Sequence, residues 1–268
     1  MNTLQLVLLA IIQGLSEFLP VSSSAHLILP SHLFDLPDQG LAFDIAVHVG
    51  TLVAVLIYLR RELYQLSTCW FRSVTGGVPS AESRLVWFLV IGTVPVGLGG
   101  LLFNDVVELH LRSVAVIATT TILFALALAV ADKKGAHRRK MESLTWKDAL
   151  VIGLAQMVAL VPGTSRSGIT MTAALALGFE RRDAARYSFL LAIPVIVLSG
   201  GYQALKLGTE VAAPWGSLCL GAVIAGITAL LCIHFFLALI DRIGMMPFVW
   251  YRLALGALLI VILLRGGA

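Results

Sequence analysis

The stretch Gln13-Gly14-Leu15-Ser16-Glu17-Phe18-Leu19-Pro20-Val21-Ser22-Ser23-Ser24-Ala25-His26 starts in an apolar run, places a carboxylate there and breaks at a proline. Three hydroxyls and an imidazole follow the break. Proline lacks a backbone N–H and clashes with the turn before it, so a helix reaching Pro20 ends or kinks there. A second stretch, Pro162-Gly163-Thr164-Ser165-Arg166-Ser167-Gly168, lies under residues 20–26 when the chain is shifted by 142 positions, with Ser165 falling on Ser23. Both breaks adjoin apolar runs too short to cross a bilayer. These two interruptions are expected to meet and build one anion site inside a membrane.

Composition supports a membrane setting. Of the 268 residues, 59% are hydrophobic and only 13% charged, with a mean hydropathy of +0.94; soluble domains carry about 25% charge. The net charge of +4 does not imply nucleic acid, because the basic residues sit in short connections between apolar spans, as in cytoplasmic loops. Cys69, Cys219 and Cys232 have no metal-ligand spacing, and neither a Walker loop nor a dinucleotide fingerprint occurs. The first apolar run lacks a basic n-region and contains Gln13 and Glu17, so it is expected to belong to the mature fold.

A spanning helix needs about 20 mostly apolar residues. Six segments qualify: roughly 42–59, 85–103, 113–131, 187–205, 215–240 and 247–264. Residues 3–19 with 25–34, and 149–161 with 167–179, form two pairs of shorter runs that suggest re-entrant half-helices. Non-helical backbone at that depth is tolerated only when buried in protein or lining a wet cavity. With the N-terminus outside, fifteen of the nineteen Lys and Arg residues fall inside, Arg242 and Arg252 among them. Arg112, Lys206 and Arg265 fall outside, which leaves Arg166 as the basic residue expected at membrane depth. The fold expected is an all-α polytopic membrane protein with six transmembrane helices and two re-entrant helical hairpins. One membrane domain, 1–268, would comprise inverted repeats of about 3–131 and 149–264, whose site lies near the midplane.

An ionisable side chain at that depth is costly and points to function. Gln13 and Glu17 are four residues apart and share a helix face. The serines after Pro20 suit a helix start, where free N–H groups and the positive end of the dipole attract anions. Ser23 and His26, three apart, share a face and bring a hydroxyl nucleophile near a proton carrier. Arg166 calls for an anionic partner, and its fork suits phosphate; an internal salt bridge to Glu17 is the simpler alternative. Thr164, Ser165, Ser167 and Thr170 exceed what one salt bridge needs. His48 and His234 are expected as packed or hydrogen-bonded residues, and Trp87, Trp215, Trp250 and Tyr251 as interfacial anchors.

Gln13-x-x-x-Glu17 with Pro20 to His26, paired with Pro162-Gly-Thr-Ser-Arg-Ser-Gly-Ile-Thr170, resembles the undecaprenyl-diphosphate phosphatases of the bacterial bacitracin-resistance type. The resemblance covers essentially the whole chain. Where the family often has Thr-Gly, this chain has Ser24-Ala25, which keeps the hydroxyl. The resemblance implies hydrolysis of undecaprenyl diphosphate to the monophosphate carrier used for peptidoglycan and other envelope glycans, and bacitracin resistance with it. It implies Glu17, Ser23, His26 and Arg166 as catalytic residues, and Gln13, Ser24, Ser165, Ser167 and Thr170 as substrate-binding ones. It also implies a bacterial plasma-membrane protein whose site faces outward. A diphosphate carries more negative charge than Arg166 and two helix ends offset, so a divalent cation, Mg or Ca, bridging phosphate and Glu17 is expected. No organic cofactor is expected. The partners expected are the polyprenyl diphosphate, membrane lipids and a second copy in a homodimer, with no nucleic acid. The competing reading is a transporter or flippase of a lipid phosphate or organic anion, since broken helices in inverted repeats also serve transport.

Overall fold

The protein is seen in a computed structural model that describes residues 2–23, 25–27, 39–207 and 214–265, apart from the side chains at 104, 105 and 108. Among these residues the structure is all-α: α1 (Thr3–Ser16), α2 (Leu41–Tyr58), α3 (Arg60–Val74), α4 (Ala81–His110), α5 (Val114–Lys134), α6 (Trp146–Met157), α7 (Arg166–Ala176), α8 (Arg181–Leu207), α9 (Trp215–Ile243) and α10 (Met246–Leu264). Short 3₁₀ turns at Met141–Ser143 and Val158–Leu160 flank α6. Helices α2, α4, α5, α8, α9 and α10 are long and apolar enough to cross a membrane, and they coincide with the six expected spans. Polar caps place several starts: Asn2 caps α1, Ser80 and Thr145 form capping boxes at α4 and α6, and Ser113 caps α5.

One connection departs from expectation. The polar stretch between the first two spans, expected as a loop, folds as α3. Its Leu66 is buried, while Tyr64 and Phe71 are exposed beside Arg60, Arg61 and Arg72. Such a two-faced helix, too polar to cross, is suited to lying in the interface. Arg186 on α8 ties it down through Glu62 at 3.0 Å.

Packing is reciprocal between the halves of the chain. Helix α1 runs along α9, and α6 runs along α4, while α5 and α10 pack on one another. Glycines permit both close crossings. A Cβ on Gly14 would lie 2.6 Å from the Ala225 carbonyl oxygen, and one on Gly153 would lie 2.6 Å from that of Gly92.

Helices α6 and α7 form a pair whose outer ends meet. The Arg138 and Arg139 N–H groups donate to the Gly178 carbonyl just after α7, and Glu180 N–H donates to Arg139 O. Arg139 also clamps Asp148 at 2.7 Å, at the start of α6. Burial opposes charge on Asp148, but the Arg139 fork and the Thr145 hydroxyl and N–H outweigh it and hold the carboxyl below its ordinary range. At the same end of the molecule Asp132 closes α5 onto its neighbours. It accepts from Arg181 Nε at 2.6 Å and from Met245 N at 3.2 Å, gathering the starts of α8 and α10. The basic connections therefore cluster at one end.

Two expectations need correction. Arg252, assigned from sequence to an inside connection, lies within α10 and is wholly buried. Arg166 is therefore not the lone basic residue in the membrane-spanning body. The apolar run around Arg252 conceals it in any hydropathy average. The register between the two breaks is also one residue off. Ser22 and Ser165 share a positive φ, 74° and 71°, and each sits immediately before a helical residue. Ser165 thus corresponds to Ser22, and Arg166 to Ser23, because the helix start rather than the proline is what the two breaks have in common.

Candidate active site

The two breaks meet. Glu17 follows directly on α1, and its N–H still donates to Gln13 O, so the carboxylate keeps a helical direction past the last full turn. It is 8% exposed. One oxygen, Oε1, accepts from Arg166 Nη2 at 3.0 Å. The other, Oε2, accepts from Ser23 Oγ at 3.1 Å and from Gln13 Nε2 at 3.0 Å. Arg166, the first residue of α7, also donates Nη1 to the Ser188 carbonyl on α8 at 3.0 Å and overhangs the Phe18 ring. A serine hydroxyl, an amide and a guanidinium from the two motifs thus share one carboxylate, and the internal salt bridge weighed from sequence is present.

The remaining hydroxyls hold the frame. Ser165 caps α7 by accepting from Gly168 N at 3.1 Å and lies 3.3 Å from Ser167 Oγ. Ser167 donates to Leu19 O at 2.7 Å, stitching the second break to the first. Thr170 bonds to the Arg166 carbonyl and to Ser188 Oγ at 2.8 Å. Ser24, expected as a substrate-binding hydroxyl, lies outside the described residues. Two buried polar atoms here have no partner: Gln13 Oε1 and Thr164 Oγ1. Buried polar atoms are nearly always hydrogen-bonded, so both are available to an incoming group.

His26 is not paired with Ser23. Its Nδ1 donates to the Ser22 carbonyl at 2.7 Å, and its Nε2 meets Tyr251 Oη at 2.5 Å with the rings stacked. Three residues near the site carried no sequence signal that singled them out. His48, read as a packed histidine, brings Nε2 to 3.6 Å from Glu17 Oε2. Tyr251, read as an interfacial anchor, holds His26. Arg252 donates Nη1 to Pro20 O at 3.3 Å and Nη2 to Gly163 O and Thr164 O at 3.0 Å each.

Residues 6–258 match the model of the family described as Bacitracin resistance protein BacA. The chain belongs to this family. It is 55% identical to an undecaprenyl-diphosphatase of Teredinibacter turnerae, over 97% of this chain and 99% of that one. It is 56% identical to the protein of that name from Saccharophagus degradans, over 96% and 97%. A third, from Thioalkalivibrio sulfidiphilus, is 54% identical over 97% and 98%. Family membership therefore extends over every residue named in the site.

Proposed function

We propose that this chain hydrolyses undecaprenyl diphosphate to undecaprenyl phosphate and inorganic phosphate, at a site open to the outer side of a bacterial plasma membrane. The observation that carries the reading is the Ser23 hydroxyl donating to a buried carboxylate that Arg166 also holds. A structural lock needs the ion pair alone, whereas a serine hydrogen-bonded to a base is the arrangement nucleophilic catalysis requires.

The breaks belong to two re-entrant hairpins in an inverted repeat. The matched left-handed serines, the reciprocal packing of α1 on α9 and α6 on α4, and the closure of α7 onto Arg139 support this. Depth agrees as well. His48 and Thr121 lie seven residues into α2 and α5, Ser188 seven into α8 and Arg252 six into α10. At about 1.5 Å per residue, each of these residues lies roughly 10 Å along its helix from the start, which supports a site in the middle part of a core about 30 Å thick.

In the reaction Ser23 Oγ attacks the terminal phosphorus while its proton passes to Glu17 Oε2. The bridging P–O bond breaks, and undecaprenyl phosphate leaves. Arg166 exchanges Glu17 for the transferring phosphoryl group, whose charge it stabilises together with the N–H groups at the start of α7. Water then attacks the phosphoserine and Glu17 returns its proton to Ser23, releasing phosphate. His26, freed from Tyr251, takes the proton of that water and yields it to the departing phosphate, which restores the neutral imidazole. The oxygen donors present, Glu17 with the unpartnered Gln13 Oε1, fit a hard divalent cation that would complete its shell on substrate oxygens. Such a cation, held by Glu17, would neutralise phosphate charge; activity undiminished by exhaustive chelation would remove it from the scheme.

The test is inorganic phosphate release from undecaprenyl diphosphate by the purified chain in detergent. Wild type should release phosphate, and Ser23→Ala should release none. A chain that moves the lipid across vesicles without releasing phosphate would be a carrier. Trapping a phosphoserine at Ser23 distinguishes the covalent route from direct attack by water.

A further inference from the structure

In the resting site the charge of Arg166 is already matched by Glu17 at 3.0 Å. A diphosphate carrying two to three negative charges thus enters a pocket whose visible arginine has a partner. A second guanidinium stands directly behind both breaks. Arg252 is wholly buried, and among the described residues no carboxylate lies within 4.0 Å of its nitrogens. An unpaired buried cation is expensive. Its compensation is a set of carbonyls: Pro20 O from the first break, Gly163 O and Thr164 O from the second, and Thr121 O from α5 at 3.2 Å.

Three of those carbonyls, Pro20 O, Gly163 O and Thr164 O, are the ones just upstream of the two half-helix starts. Turned toward a phosphate, their oxygens would repel it. Drawn onto Arg252, they are held to the rear, while hydroxyls and first-turn N–H groups remain for the anion. The sequence of α7 accommodates this. A Cβ at Gly168 would sit 2.9 Å from Arg252 Nη1 and 3.0 Å from Ser165 Oγ, so a side chain there would press on the guanidinium and the cap at once.

We propose that Arg252 is a positioning residue for the diphosphate. It ties the carbonyls of both breaks away from the phosphates and supplies an unpaired positive charge beneath them. The inference rests on the phosphatase reading of the site. It predicts discrimination by charge: loss of Arg252 should weaken the diphosphate more than the monophosphate product, whereas a merely structural arginine would weaken both alike.

The experiment compares wild type, Arg252→Met and Arg252→Lys in detergent. It measures kcat and KM for undecaprenyl diphosphate, the inhibition constant of undecaprenyl phosphate, and thermal unfolding. The Met variant should raise KM at least about tenfold, and the product's inhibition constant by clearly less, as expected when a fixed charge acts in a low-dielectric site. Lysine keeps the charge but not the fork, so it should restore most of KM and leave kcat low. Equal weakening of diphosphate and monophosphate in a folded Met variant overturns the proposal, as does a Lys variant no better than Met. If Arg252→Met does not fold, Gly168→Ala decides. Alanine suits a helix better than glycine, so a folded Gly168→Ala protein with unaltered discrimination also overturns it. If wild type releases no phosphate the phosphatase reading fails instead. Calorimetric binding of inorganic pyrophosphate against inorganic phosphate, to wild type and Arg252→Met, then still decides the role of Arg252.

Discussion

At the scale of single residues, Glu17 gathers the most contacts in the candidate site. Its two oxygens accept from a serine hydroxyl, a guanidinium and an amide at once. Glu17→Gln should therefore lower the rate of phosphate release by about 10²–10⁴-fold, the usual worth of a positioned base, and release Arg166 to bind phosphate more tightly. A kinetic comparison in which kcat falls while KM does not rise would bear this out; an unchanged kcat would remove Glu17 as the base. Much of this residue-level site was legible in sequence, because a carboxylate and an arginine in apolar surroundings announce themselves. His48, Tyr251 and Arg252 did not. Histidine and tyrosine occur in spans for ordinary reasons, and one arginine inside a strongly apolar run does not stop the run from reading as a helix. Their roles come from which helices become neighbours, and no local pattern encodes that.

At the scale of elements, the close crossings of α1 on α9 and α6 on α4 depend on the absence of a side chain. Gly153→Ala would force its Cβ against the Gly92 backbone, an overpacking that typically costs about 1–3 kcal/mol. A lower thermal midpoint than wild type is expected, with Gly14→Ala behaving alike at the other crossing. The α6–α7 pair offers a pH test. Asp148 is held below its ordinary pKa, so its pairing with Arg139 stabilises the fold fully above the unfolded value of about 3.9 and is lost as pH falls through the lower folded value. Thermal scans should show a constant gap between wild type and Asp148→Asn from pH 5 to 8 that closes under more acid conditions; a gap independent of pH would exclude the linkage. The spans were readable from hydropathy to within a few residues. Helix α3 was not, because its apolar residues are too few for a span and its stripe shows only at helical spacing. The serine register was missed because proline, the visible landmark, lies at different distances from the two helix starts.

At the scale of the whole molecule, the basic connections gather at the end where Asp132 ties α5 to the starts of α8 and α10. In a background without the native cysteines, Ser143→Cys should react with a membrane-impermeant maleimide only from the cytoplasmic side, and Ser113→Cys only from the other. The opposite pattern would invert the proposed orientation. The breaks have a further consequence for how the protein is made. Helices α1, α6 and α7, of 14, 12 and 11 residues, are too short to be inserted as spans, and their broken backbone is tolerated only once protein surrounds it. In the proposed re-entrant arrangement they settle into the bilayer after the six long helices have assembled. Catalytic competence should then be acquired last in biogenesis and surrendered first when a harsh detergent loosens the bundle. Activity should disappear while helical content stays intact.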